Sequence, residues 1–161
     1  MHSVNSRYSR IMDNYAQNKK ALFDYEILET FEAGIQLEGF EVKAVRQGYA
    51  ALSGTFITMR GEEAYLTNCS IAPYQPGNTP SSYDPARPRK LLLHKKELKR
   101  LMGIVQQKGL TIVPLKLYNK NAMVKIEIGI ARGKRVYEKR EKMKKRTAER
   151  EIEREMKSQS G

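Results

Sequence analysis

The chain has 161 residues, 40% of them hydrophobic and 30% charged, enough for one compact core with tails and too little for two comfortable domains. A net charge of +12 and a pI of about 9.8 favour a polyanionic partner: nucleic acid, an anionic membrane surface or the RNA-rich surface of a ribosome. One cysteine, Cys69, excludes an internal disulfide, and the absence of an apolar run of signal-peptide or membrane-span length points to a cytosolic protein.

Residues 1–17 read as a flexible N-terminal extension. From Ala21 to Ile35 the run ALFDYEILETFEAGI gives Phe23, Tyr25, Ile27 and Phe31 one parity, which predicts a long strand with one buried face. LEGFEVKAVRQG follows, with Val42 and Val45 three apart between Gly39 and Gly48, and predicts a short helix. LSGTFITMR and EAYLTNCSIAPY read as two strands joined by a hairpin turn at GEE. Between Pro73 and Lys90 lie five of the six prolines, so this stretch is expected to be a surface loop.

In LLLHKKELKRLMGIVQQKG, Leu98, Leu101, Met102 and Val105 fall at helical spacing, and Gly109 offers a left-handed stop. TIVPLKLY sets Val113, Leu115 and Leu117 on one strand face. NKN turns, and MVKIEIGIA sets Val124, Ile126, Ile128 and Ile130 on one face, leaving Lys125 and Glu127 to point away from the core. Short strands at turn spacing with two helices suggest a small antiparallel barrel or sandwich with helices on its flanks. Past Gly133 the composition changes to eleven Lys or Arg against six Glu, a net +5, with too few apolar residues to offset the entropy of ordering.

Catalytic chemistry has little material here. The only histidines are His2 and His94, and with Cys69 alone neither a zinc cluster nor a Cys–His pair can be built. His94 and Glu97 read as surface neighbours, the paired glutamates of EGFE and EIE sit among lysines able to pair with them, and no Walker-type loop is present. No catalytic residue, metal or cofactor is assigned. Basic side chains on a β scaffold suit RNA instead; candidates are Lys19, Lys20, Lys43, Arg46, Arg87, Arg89, Lys90, Lys125, Arg132, Lys134 and Arg135.

Eight blocks in order, NKKA, DYEI, FEAGIQLEGFEVKAVRQG, IAPYQPGN, DPARPRKLLLHKKEL, KGLTIVPLKLY, VKIEIGIARGK and YEKRE, closely resemble the small protein B family, the SsrA-binding proteins of bacterial trans-translation. The resemblance runs from about Asn18 to the middle of the tail. It implies a mainly β fold, an OB-like antiparallel barrel with flanking helices over residues 18–132. It implies a charged tail over 133–161 that is disordered when free and helical on the ribosome. It also implies a monomeric adaptor with no enzymatic activity, whose partners are the tRNA-like domain of tmRNA and the stalled ribosome, where the tail enters the decoding centre and the empty mRNA channel.

Carried over by position, the family's RNA-binding determinants fall on Glu32, Leu92 and Lys125, and more loosely on Asn18, Lys19, Lys20, Glu41, Lys43, Arg132 and Lys134. Tyr137, Glu138, Lys139 and Arg140 match the decoding-centre motif, with Glu138 where relatives usually carry aspartate. Parity independently puts Glu32 and Lys125 off the core face. Leu22 and Phe23 stand where relatives often carry an Arg-His pair, so a basic RNA contact there is lost or replaced by stacking. Within the tail, Glu138 with Lys142, Glu141 with Lys145 and Glu153 with Lys157 form favourable pairs of about 0.2–0.5 kcal/mol each. Ala148, Ile152 and Met156 make a narrow apolar stripe. Two other readings share the charge: a ribosomal or general single-stranded RNA-binding protein, and an amphipathic membrane-surface protein, the latter disfavoured by a tail without Trp, Phe or a wide apolar face.

Overall fold

A computed structural model describes residues 14–134 and the backbone of 136–159, with side chains of 143–154 in the latter stretch. Seven strands form one antiparallel sheet: β1 (Asn14–Gln17), β2 (Tyr25–Ile35), β3 (Phe56–Arg60), β4 (Glu63–Thr67), β5 (Arg89–Leu92), β6 (Leu110–Lys120) and β7 (Met123–Gly133). Their order across the sheet is β1-β6-β7-β2-β5-β4-β3, and β3 curls back against β6, giving the expected OB-like barrel. Among the described residues four α-helices accompany it, α1 (Lys19–Asp24), α2 (Gly39–Arg46), α3 (Lys95–Val105) and α4 (Val136–Gln159), with one turn of 3-10 helix at Pro76–Asn78. Among the described residues no helix is long and apolar enough to cross a membrane.

The main core joins Val124, Ile126, Ile128 and Ile130 of β7 to Leu66, Leu91, Leu101 and Val45, so the four-residue stripe in β7 faces inward as its alternation requires. In α3 the buried line is Leu101 and Ile104 rather than the expected set ending at Val105, which is exposed. α2 ends where expected, with Gly48 at φ +83°, whereas α3 stops at Val105 and Gly109 at φ +84° serves to turn the chain into β6.

Three further expectations are corrected. Residues 21–24, expected to start the strand, belong instead to α1, because Asn18 Oδ1 accepts the Ala21 N–H at 3.1 Å and caps a helical turn there. Residues 14–17 belong to the sheet as β1 rather than to a flexible extension; residues 1–13 lie outside the described part. In β6 the register shifts between Pro114 and Lys116, as a proline without an N–H requires in a paired strand. That shift splits the predicted face: Ile112 and Leu117 join the main core, while Val113 and Leu115 pack with Ala21 and Ala131 in a second, smaller cluster under α1.

Candidate nucleic-acid interface

The sheet register brings the three family-matched residues together. Gly34 in β2 is paired with Leu92 of β5 on one side and Lys125 of β7 on the other, and Lys125 is paired in turn with Tyr118 of β6. All lie on the outer face, since Ala33, Leu91, Ile126 and Leu117 alternate with them in the core. Glu32, one same-face position from Gly34, completes the constellation. Gly34 makes the row possible: a Cβ there would sit 3.1 Å from Leu92 Cβ. Leu92 is accordingly 53% exposed, so it presents an apolar surface rather than packing inward.

Glu32 is held in place. It accepts the Tyr118 hydroxyl and the Lys120 ammonium, at 3.1 and 3.2 Å from Nζ to its two oxygens. The Tyr118 hydrogen bond, with help from Lys120, keeps the Glu32 carboxyl below its usual value, while burial and Glu32 push the Tyr118 phenol up. A carboxylate with free lone pairs beside a lysine and an exposed leucine can accept from base edges or ribose hydroxyls while the cation meets phosphate. Lys116 adds a cation 5.1 Å from the Tyr118 ring. Parity also placed Tyr118 and Lys116 opposite Leu117, so the sequence carried their signal, although sequence reasoning did not single them out. Beside Leu92, between β5 and α3, a groove of ≈ 690 Å³ is lined by Leu98 and Met102 with Lys90, Lys95 and Lys99.

The remaining sequence candidates divide. Lys19, Lys20 and Lys43 are exposed on α1 and α2. Arg132 is exposed and ion-paired with Glu26, and Arg46 donates to Ala122 O at 2.8 Å. Lys90 pairs with Glu63 at 3.0 Å. Lys134 is half-buried, its Nζ 3.2 Å from Leu22 O and its N–H bonded to Asp24 O at 2.9 Å, which ties the root of the tail to α1. Tyr137, Glu138, Lys139 and Arg140 lie on the backbone of α4, outside the residues whose side chains are described; Arg135 lies outside altogether.

Three candidates are not surface contacts. Asn18 is buried, spanning α1 and β6 through its cap and through Nδ2 to Pro114 O at 2.8 Å. Glu41 and Arg89 are both fully buried and face each other. Arg89 donates Nε to Glu41 Oε2 at 2.9 Å and its Nη atoms to Glu41, Cys69 O, Tyr83 Oη at 2.9 Å and Pro85 O at 2.8 Å. Glu41 also accepts from Arg87 and from the Glu38 N–H at 2.9 Å. Burial alone would raise the Glu41 carboxyl, but these donors outweigh it and hold it below the ordinary range. Glu41 thus finds its partners in arginines far along the chain, not in neighbouring lysines. Its carboxylate anchors the proline-rich loop to α2.

Phe23, at one departure from the family pattern, carries the Arg146 guanidinium of α4 at 5.4 Å from its ring centroid. Ala148 and Ile152 of the tail's apolar stripe are exposed. Among the described residues no group of three acidic, histidine or cysteine side chains is placed to hold a metal.

With this geometry in place, comparison with known proteins is decisive. The family model described as SmpB protein matches residues 15–158. The chain belongs to the SmpB family. An SsrA-binding protein of Sulfurihydrogenibium sp. is 55% identical over 142 residues, covering 88% of this chain and 93% of the relative. One from Chloroflexus aggregans is 51% identical over 142 residues, covering 88% and 90%, and one from Gloeothece citriformis is 48% identical over 157 residues, covering 98% and 99%. A solved chain described under "tmRNA-SmpB: a journey to the center of the bacterial ribosome" is 52% identical with a TM-score of 0.61, covering 74% of this chain and 84% of the other. The chain's own KLLLHK and VKIE blocks supply Leu92 and Lys125, which flank Gly34.

Proposed function

We propose that the chain is a tmRNA-binding adaptor of trans-translation, acting in the cytoplasm. The outer sheet face binds the tRNA-like domain of SsrA RNA, with Glu32 accepting hydrogen bonds, Leu92 packing on the RNA and Lys125 on phosphate, and with Lys19, Lys20, Lys43 and Arg132 as looser phosphate contacts. Asn18 and Glu41 support that surface from within, and Lys134 fixes the tail's exit. The tail then follows the RNA into ribosomes stalled on messages lacking a stop codon: Tyr137, Glu138, Lys139 and Arg140 meet the decoding centre, and the rest of the helix lies in the empty mRNA channel. No chemical step is assigned to any residue; the work is binding and placement.

One observation supports this reading above others: the convergence of Glu32, Leu92 and Lys125 around Gly34 in a chain of this family. A general RNA binder needs cations but no acceptor fixed among them. A gel shift at near-physiological salt, comparing tmRNA with a matched tRNA and a scrambled RNA, tests it. A clear preference for the folded tRNA-like RNA that Lys125→Ala weakens without unfolding the protein is expected. Equal affinity for all three RNAs favours the general single-strand binder instead.

A further inference from the structure

A second aromatic and basic surface lies where the proline-rich loop meets α2, apart from the Glu32–Leu92–Lys125 row. Tyr49 and Tyr74 are 46% and 38% exposed, with ring centroids 5.8 Å apart and planes tilted by 48°. Tyr74 also lines a cleft of ≈ 350 Å³ whose other walls include Phe40 and Lys43 of α2 and Gln75 and Asn78 of the loop. That volume falls in the range of small-ligand sites. Lys43 has no carboxylate partner among the described residues, and its ammonium is available to an anion.

The cleft is built, not incidental. The Ala72 N–H bonds to Tyr49 O at 3.2 Å, fixing the two tyrosine segments against each other. Below, the loop is bolted to α2 by Glu41, Arg87 and Arg89, and Phe40 packs edge-on against Tyr83 at 4.8 Å. Gln75 and Asn78 bond to each other at 3.0 Å, leaving further amide groups at the rim. Exposed rings held rigid lose little entropy on stacking. Rings beside an unpaired lysine and amide hydrogen-bonding groups match an unpaired nucleotide: a flat base for the tyrosines, a phosphate for the cation, a polar edge for the amides.

We propose that this cleft takes a single unstacked nucleotide of RNA, its base on Tyr74, whose ring Tyr49 flanks at the rim, and its phosphate on Lys43. It deepens the RNA-binding reading above and rests on it. The nucleotide has two possible sources, the RNA that occupies the outer sheet face or the RNA of the ribosome. α2 connects the two surfaces, since it carries Lys43 at the cleft and Arg46 on the β6–β7 turn next to Lys120.

The test uses the full chain in three forms: unmodified, Tyr49→Ala with Tyr74→Ala, and Tyr49→Phe with Tyr74→Phe. Each is titrated by fluorescence anisotropy against the tRNA-like domain of tmRNA and against small ribosomal subunits, with thermal melts to confirm folding. Stacking predicts affinity about 5- to 150-fold weaker for the alanine form on one of the two RNAs, with the phenylalanine form retaining it; the affected RNA identifies the source. Unchanged affinity on both, or equal loss in the phenylalanine form, overturns the proposal. Lys125→Ala separates this from the wider reading. If the unmodified chain has no preference for the tRNA-like RNA, or Lys125→Ala leaves that preference intact, the outer-face assignment falls while the cleft is still read on the subunit arm.

Discussion

Arg89 and Glu41 are the most consequential pair of side chains in the molecule, since each is fully buried and each satisfies the other. Glu41→Gln strands two guanidinium charges against a neutral amide, and chemical denaturation is expected to register a loss of about 3–5 kcal/mol. The pH dependence has a defined sign. The folded Glu41 carboxyl lies below its ordinary value of 4.5, so its stabilisation is complete above that pH and is lost as pH falls through the folded value. Denaturation midpoints followed into acid should drop steeply in the native chain and more shallowly in the Gln variant. On the surface, Tyr118→Phe removes the largest influence depressing the Glu32 carboxyl, which should then titrate at higher pH in a carboxyl-resolved NMR titration. Nothing in the local sequence announces the Glu41 pair, because its partners are 46 and 48 residues distant. The outward placement of Glu32 and Lys125, by contrast, was legible from strand alternation, while their grouping with Leu92 rested on the family resemblance.

Among the elements, α1 shows how a short pattern misleads. Phe23, Tyr25 and Ile27 alternate like a strand, yet the preceding Asn18 offers a side-chain cap and a second bond to β6, and Lys19–Asp24 coil into a helix that takes the first four residues of the expected strand. Asn18→Ala should cost about 1–3 kcal/mol in a thermal or urea melt, through the lost cap and the orphaned Pro114 carbonyl. The β6 face was misread for a related reason: alternation counts residues, and the register shift at Pro114 adds one. The β6–β7 turn has its own strain. Asn121 and Ala122 sit at φ 51° and 63°, a left-handed pair that suits asparagine and penalises alanine. Ala122→Gly is expected to stabilise the fold by about 0.5–1 kcal/mol, the relieved strain exceeding the added freedom of the unfolded chain, as a denaturant midpoint would register.

At the scale of the whole molecule, barrel and tail differ in kind. The composition break at Gly133 was visible in the sequence and coincides with the end of β7, after which the chain forms a 24-residue helix whose described side chains, those of 143–154, are exposed. Truncation after Val136 should leave affinity for the tRNA-like RNA largely intact while abolishing ribosome rescue in a reconstituted assay; comparable loss of both would argue against separable modules. The acidic residues of β2 also shape the charge of the outer surface. Glu26, Glu29 and Glu32 each hold a cation from a neighbouring element, Arg132, Arg100 and Lys120 respectively. These carboxylates act as stand-ins for phosphate, keeping the basic side chains extended and already partly neutralised. On the RNA-binding reading proposed above, phosphate meets cations that a carboxylate has already partly neutralised, so fewer bound salt ions are expected to be expelled from the complex than a tally of its arginines and lysines implies.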